Sequence, residues 1–243
     1  MSILDSCLFK KPIAYRGLHN AEYPENSTGA FENAIKHGFP IKLDVQCIND
    51  GSVVVFRDSK LSRMTGKDGY VSTLEKNQLK DTRLGETEYC IPTLEEVLEL
   101  VNGKVPILVE IESEDKIGRL EKRAEEILKA YGGDFAVQSF NPYSLGYFKQ
   151  NAPHVMRGQL STVFTKKEVP SFFKRRTLTR MSLNNISQPD FISYNAEFLP
   201  NKYVSKIGLP TLAQPVRSQS QADKLSEYCD NIIFEKFIPD CAK

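Results

Sequence analysis

The sequence predicts an α/β fold, a (β/α)8 barrel with a small insertion over its C-terminal mouth. Short β-branched runs alternate with longer amphipathic segments along the 243 residues, and this alternation is typical of a parallel sheet wrapped by helices. Eight such runs are present, which is the strand number of this barrel. The length suits one large core, so we expect a single domain over residues 1–243.

The eight predicted strands follow in order along the chain. They lie near residues 13–16, 40–46, 105–111, 135–140, 155–160, 190–194, 208–214 and 231–234. Apolar residues at helical spacing predict helices around residues 30–35, 97–101, 117–128 and 222–228. The best-marked helix follows a capping box from Thr93 to Glu96, and Gly103 stands where its C-cap belongs.

Two departures from a plain barrel are predicted in the first half of the chain. Asn49-Asp50-Gly51 separates the second strand from the run Val53-Val-Val-Phe56, which indicates a hairpin and an added antiparallel strand. Residues 58–90 are polar, loop-like and too long for a simple strand-to-helix connection. We interpret this segment as an insertion that serves as a lid.

Composition narrows the function classes. With 32 basic and 31 acidic residues, a net charge of +1 and 40% hydrophobic residues, the chain has the balance of an ordinary soluble protein. This gives no electrostatic argument for nucleic acid or an anionic membrane, and the basic stretch 174–180 is interpreted as a solvated helix face.

No apolar run approaches the roughly 18 residues of a membrane span. The N-terminus does not read as a signal peptide, and five cysteines without CxxC spacing indicate reduced thiols in a cytoplasm. The oligomeric state is left open.

A series of short motifs carries a resemblance to a known family. These motifs are Ile13-Ala-Tyr-Arg-Gly17, Pro24-Glu-Asn-Ser27, Lys42-Leu-Asp44, Val53-Val-Val-Phe-Arg-Asp58, Ile91-Pro-Thr-Leu-Glu-Glu96, Leu108-Val-Glu-Ile111, Ser139-Phe140, Pro210-Thr-Leu-Ala-Gln-Pro-Val-Arg217 and Ile233-Phe-Glu235. In order and spacing they resemble the glycerophosphodiester phosphodiesterase pattern across nearly the whole chain. The resemblance implies hydrolysis of phosphoric diesters in glycerophospholipid metabolism. It also implies a small phosphate or glycerophosphodiester ligand.

The family chemistry implies two histidines as an acid/base pair, a divalent metal held by carboxylates, and an arginine and a lysine that neutralise the phosphoryl oxygens. By resemblance, Arg16 grips phosphate, Asp44 and Glu110 are metal ligands, and Asn26 lines the site. These four residues are retained.

Five positions depart from the family pattern. They are Tyr15 and Arg57 in the histidine positions, Lys42 in place of a third metal ligand, Glu112 in place of the lysine, and Gln214 in place of a tryptophan. Neither tyrosine nor arginine titrates near neutral pH. Residues two apart on a strand share a face, so we expect the Lys42 ammonium to meet Asp44 and Glu110 where the metal would lie. Glu112 would then pair with Arg16 or Arg57.

We therefore expect a family member with weak or no hydrolase activity and no cofactor, or Ca²⁺ or Mg²⁺ if the family's metal site survives. Two alternatives remain open. One is an active hydrolase in which Arg57 and Lys42 lower the pKa of Tyr15, so that it acts as an acid or nucleophile. The other is a non-catalytic module that binds phosphate or a glycerophosphodiester.

Overall fold

The structure is a computed structural model that describes residues 6–113 and 117–240. Backbone contacts divide the chain into two compact units. The first unit comprises residues 13–135, and the second comprises residues 1–12 together with 136–243. The predicted single domain over residues 1–243 stays a prediction.

The first unit is built on a buried sheet whose strands are β1 (Ile13–Tyr15), β2 (Ile41–Cys47), β3 (Val53–Val55) and β4 (Ile107–Ile111). β2 runs parallel to β1 and to β4, and antiparallel to β3. The predicted hairpin is confirmed. Gly51 takes a left-handed φ of 92° in its turn, and the Asp50 carboxylate accepts a 2.8 Å hydrogen bond from the Ser52 amide, as turn chemistry requires.

The helices of the first unit are α1 (Thr28–Lys36), α2 (Ser62–Thr65), α3 (Lys76–Leu79), α4 (Leu94–Val101) and α5 (Arg119–Lys129). The capping box of α4 is present, because Thr93 and Glu96 each accept from the other's backbone amide. Its C-cap is Asn102, one residue earlier than predicted, and Gly103 follows with φ 72°.

The insertion at residues 58–90 is more regular than the loop expected from its polarity. It contains α2, α3 and a 3-10 turn at Val71–Thr73. Its apolar side chains form a core of their own with the adjoining residues. The buried members are Ile48, Val54, Phe56, Leu61, Val71, Leu74, Leu79, Leu84 and Ile91. Sparse apolar residues therefore fix this segment, while its role as a lid stays a prediction.

The second unit contains five strands, β5 (Phe135–Ser139), β6 (Met156–Ser161), β7 (Phe191–Asn195), β8 (Thr211–Val216) and β9 (Asn231–Phe234). Each pairs in parallel with the next. The helices between them are α6 (Pro142–Asn151), α7 (Phe172–Thr179), α8 (Asn184–Ser187), α9 (Lys202–Ile207) and α10 (Gln219–Leu225). All eight predicted strands are thus present within three residues of their predicted ends. Across the described ranges, every helix is too short or too polar to traverse a bilayer.

Candidate active site

The centre of the candidate site lies on two neighbouring strands. Asp44 on β2 is in register with Glu110 on β4, and Lys42 precedes Asp44 by two residues on the same face of its strand. All three side chains are buried. Strand pairing therefore brings a lysine and two carboxylates into one small, buried space.

Lys42 forms an ion pair with both carboxylates. Its Nζ lies 2.8 Å from Glu110 Oε2 and also contacts Asp44 Oδ1, while 0% of the side chain is exposed. Burial alone would lower the pKa of Lys42, but the charges of Asp44 and Glu110 outweigh it and raise the pKa above the ordinary lysine value. The predicted contact of this ammonium with both carboxylates is present.

Two further groups contact the Asp44 carboxylate. Asn26 Nδ2 donates to Oδ2 at 2.9 Å, and Arg16 Nε lies 3.0 Å from the same oxygen. Burial opposes ionisation of Asp44, yet the charges of Lys42 and Arg16 hold the pKa of this carboxyl below its usual range. Asp44 is therefore a carboxylate at neutral pH, with every nearby partner acting as a donor.

Left-handed backbone positions Arg16 and Asn26. Their φ angles are 60° and 57°, and Gly17 follows with φ 79°. The Asn26 amide donates to the Arg16 carbonyl at 2.9 Å, which joins the two turns. Left-handed backbone costs free energy in residues other than glycine, so the surrounding contacts must hold these two side chains toward Asp44.

Gly17→Ala is expected to destabilise the protein by at least about 1–3 kcal/mol, because a Cβ there meets left-handed backbone strain and close packing. An added Cβ would lie 2.8 Å from backbone atoms of Ala30. Urea unfolding measures the change. Gly85→Ala is the matched control, since Gly85 has φ 60° with nothing within 4 Å of the added Cβ. Equal losses in both variants would contradict the packing argument.

Tyr15 lies between two cations. The Arg16 guanidinium and the Lys42 ammonium stand 4.6 Å and 4.7 Å from its ring centroid, and its hydroxyl accepts from Arg16 Nη2 at 3.0 Å. Burial raises the pKa of Tyr15 above 10, and the two cations only partly offset it. This is the opposite of the lowered pKa on which the Tyr15 hydrolase alternative rests. The structure thus favours a protonated Tyr15 whose ring and hydroxyl contact the two cations and hold them in place.

Arg57 and Glu112 form a more accessible pair at the edge of this cluster. Arg57 Nε lies 3.0 Å from Glu112 Oε1, and the two side chains are 36% and 15% exposed. Glu112 was predicted to pair with Arg16 or Arg57, and in the structure its partner is Arg57. Burial, followed by the charges of Glu110 and Asp44, raises the pKa of Glu112 well above its ordinary value despite Arg57.

Three carboxylates of the cluster lie close enough to hold a metal ion. Asp44, Glu110 and Glu112 each offer an oxygen within 4.8 Å of the others. The two predicted metal ligands, Asp44 and Glu110, therefore lie close together. Glu112, which was predicted to pair with an arginine, lies beside them. Lys42 contacts two of these three groups.

Two further residues, Glu25 within the motif Pro24-Glu-Asn-Ser27 and Arg63 in the insertion, have no role assigned from the sequence. Glu25 accepts from Arg16 Nη1 at 2.6 Å and from both terminal nitrogens of Arg63, at 2.7 and 3.0 Å. Arg63 lies on α2 and also pairs with Asp58. Glu25 thus links the candidate site to the insertion. No local sequence pattern joins residues 38 positions apart, so the motif position of Glu25 was the only available signal.

Glu25→Gln is expected to weaken the pH dependence of stability in acid. Burial opposes ionisation of Glu25, but hydrogen bonds from Arg63 and the charge of Arg16 keep the pKa of this carboxyl below its ordinary value. Its contribution is therefore present above the unfolded pKa of about 4.3 and is lost as the pH falls through the folded pKa. Urea midpoints at about pH 7 and about pH 4 should differ less in the variant than in the wild type. The exposed Glu99→Gln is the control, and an unchanged pH dependence for Glu25→Gln would count against the link.

Gln214, which stands where the family pattern has a tryptophan, belongs to the second unit. It is buried on β8, and its side-chain oxygen has no hydrogen-bond partner among the described residues. Its assignment to the site stays a prediction.

Comparison with known proteins places these residues in context. The family model for the glycerophosphoryl diester phosphodiesterase family matches residues 16–227. A glycerophosphodiester phosphodiesterase of Bacillus altitudinis is 35% identical over 157 residues, covering 60% of this chain and 64% of the relative. Another from Caldanaerobacter subterraneus is 38% identical over 160 residues, covering 61% and 65%. The matches to these two curated relatives thus span just under two thirds of their length.

A solved structure gives the fold. A phosphodiesterase of Oleispira antarctica, in complex with the product sn-glycerol-3-phosphate, superposes with a TM-score of 0.77 at 24% identity, covering 93% of this chain and 92% of that one. The predicted (β/α)8 barrel class is confirmed by this likeness. From the match over residues 16–227, the chain belongs to the glycerophosphoryl diester phosphodiesterase family.

Proposed function

We propose that this family member binds a phosphate or glycerophosphodiester ligand and hydrolyses it weakly or not at all. One observation carries the proposal. The ammonium of Lys42, fully buried, contacts Asp44 and Glu110 together, and these are the two carboxylates assigned to the metal by resemblance. A cation supplied by the chain thus takes the place of a cation supplied by solution.

The family is metal-dependent, and the chain retains an acidic group able to hold an ion. As folded, however, this group does not fit a divalent ion between Asp44 and Glu110. The ion would lie against the Lys42 ammonium, whose charge it would repel. Displacing Lys42 would also leave a protonated lysine without its partners in a buried space. The proposed function therefore includes no metal-dependent step.

The residues at the two histidine positions also support weak or absent hydrolysis. General acid/base catalysis requires a group that titrates near the working pH. At the two histidine positions stand Tyr15, whose pKa is raised by burial, and Arg57, whose pKa the charge of Glu112 raises against the effect of burial. Both stay protonated at neutral pH. Arg16 and Lys42, the cations beside Tyr15, are held protonated by the carboxylates.

Ligand binding is supported by the cations of the site. Arg57 is the more exposed arginine and is held by one contact to Glu112. Arg16 already contacts Asp44, Glu25 and Tyr15, so an anion must compete with Glu25 to reach it. Glycerol phosphates are the natural probe, because the Oleispira antarctica phosphodiesterase is described with sn-glycerol-3-phosphate.

A hydrolysis assay tests this proposal. Purified protein with glycerophosphocholine and Ca²⁺ or Mg²⁺ is expected to turn over more slowly than an ordinary enzyme by at least about 10²–10⁴, the usual contribution of general acid/base groups. Turnover at ordinary enzymatic rates would refute weak activity. Calorimetry with sn-glycerol-3-phosphate tests binding separately, and Arg57→Gln should weaken it at least tenfold, roughly the loss of one charge-assisted contact.

We also propose a cytoplasmic location for the protein. Cys47, Cys90 and Cys229 are free thiols, as expected in a reducing compartment. Cys241 lies outside the described residues.

A further inference from the structure

Helix α7 is unusual because it has no buried residue over its eight positions. Phe172 and Phe173 at its N-terminus are 58% and 80% exposed. Their rings contact each other edge to face, with centroids 5.7 Å apart. Two adjacent phenyl groups in water are unfavourable for a lone soluble chain, and such patches mark interaction surfaces.

The segment that carries these two rings is basic. Residues 163–176 contain five lysines and arginines against one acid, Glu168, in a chain whose net charge is +1. We define the α7 patch by its exposed apolar and basic side chains. Its members are Lys166, Lys167, Phe172, Phe173, Lys174 and Arg176.

The residues that the structure describes do not neutralise the charges of the α7 patch. Among the described residues, none of its four cations forms an ion pair, and the Glu168 carboxylate is held by the amide and hydroxyl of Thr165. Arg175 is used differently, because its Nη1 donates to the Val169 carbonyl at 2.8 Å. The solvated helix face predicted from the sequence accounts for the lysines, but not for the exposed rings beside them.

We propose that the α7 patch docks the protein on an anionic lipid bilayer surface. Phe172 and Phe173 enter the headgroup region, and the four cations face anionic headgroups. Exposed aromatic rings beside lysines with long apolar stems are typical of segments that lie in a membrane interface. A protein partner fits less well, because the cores of protein interfaces are depleted in lysine. Single-stranded nucleic acid also stacks bases on ring faces, but one face of Phe172 lies against the Arg175 guanidinium, 5.8 Å from the ring centroid.

Vesicle sedimentation of the full chain tests the proposal. Vesicles of equimolar phosphatidylcholine and phosphatidylglycerol should bind the wild type at least about tenfold more tightly than phosphatidylcholine alone, since each basic residue near an anionic surface contributes roughly fivefold. Binding should weaken as salt is raised. Phe172→Ser with Phe173→Ser should lower the affinity at least about tenfold through lost apolar contact. Replacing all four patch cations by glutamine should abolish the preference for the anionic vesicles.

Matched controls separate the α7 patch from general surface effects. Tyr143→Ser with Tyr228→Ser removes two exposed aromatics elsewhere, and a second control replaces four exposed lysines outside the patch by glutamine. These are Lys122, Lys129, Lys206 and Lys224. Both controls should bind within about twofold of the wild type if the patch supplies the membrane electrostatics. Equal binding to both vesicle types, equal losses in the controls, or patch-dependent binding to a single-stranded oligonucleotide without vesicle binding would each overturn the proposal.

Discussion

Lys42→Met is expected to lower the free energy of unfolding by about 3–5 kcal/mol, the usual cost of removing one partner of a buried ion pair. The Lys42 side chain is fully buried and contacts both Asp44 and Glu110. Without its charge, two buried carboxylates face each other without the ammonium that lies between them, although Asp44 keeps the Arg16 guanidinium 3.0 Å away. Urea unfolding at neutral pH measures the loss.

The double variant Lys42→Met with Glu110→Gln is the informative control. It removes one positive and one negative charge, so that Asp44 keeps its contacts with Arg16 and Asn26. It should recover at least about half of the lost stability, because two buried carboxylates no longer face each other without the ammonium. Lys129→Met, an exposed lysine on α5, should change stability by less than about 0.5 kcal/mol. A Lys42→Met protein as stable as the Lys129→Met protein would contradict the electrostatic account.

Introducing the residues that the family resemblance implies at four positions is expected to raise kcat/KM for glycerophosphocholine by at least about 10²–10⁴, the range for general acid/base groups. The variant combines four substitutions, namely Tyr15→His, Lys42→Glu, Arg57→His and Glu112→Lys. Imidazole titrates near neutral pH, and an added carboxylate in place of the ammonium favours a divalent cation. Initial rates with Ca²⁺ or Mg²⁺ measure the gain.

Partial restorations show which change matters. Lys42→Glu alone should gain metal binding without appreciable hydrolysis, whereas the two histidines without Lys42→Glu should gain little in either assay. If the folded quadruple variant binds metal but is no faster than the wild type, the residues at these four positions do not determine the rate, and the proposed reason for weak hydrolysis is wrong.

The strand framework was predictable from the sequence because β-branched runs and one turn sequence mark it locally. The alternation of side chains on a strand was enough to predict that Lys42, Asp44 and Glu110 lie close together. Register then completed the geometry, since Asp44 pairs with Glu110 across β2 and β4. Local pattern and tertiary contact agree here.

Some helices of the second unit were not predicted, and α6 shows why. Its buried residues include Ser144 and Gly146, and a Cβ added at Gly146 would lie 3.1 Å from the Ile186 side chain. Close packing through small residues leaves no apolar stripe for periodicity analysis to detect. The bounds of this helix therefore depend on its neighbours.

The ionic contacts of Glu25 were also beyond prediction. Its partner Arg63 lies in the insertion, whose conformation depends on a small core of its own. The raised pKa of Tyr15 follows from burial, which no residue count reveals. Charge counting in the sequence identified the members of the cluster but not how deeply each one is buried.

The most direct test of the account concerns the space between Asp44 and Glu110. Calorimetric titration with Ca²⁺ and Mg²⁺, together with a crystal structure grown in the same ions, should show no binding there in the wild type and the Lys42 ammonium in contact with both carboxylates. Lys42→Glu, measured in parallel, should bind the ion. A divalent cation coordinated by Asp44 and Glu110 in the wild-type protein, with Lys42 turned away, would contradict the central claim.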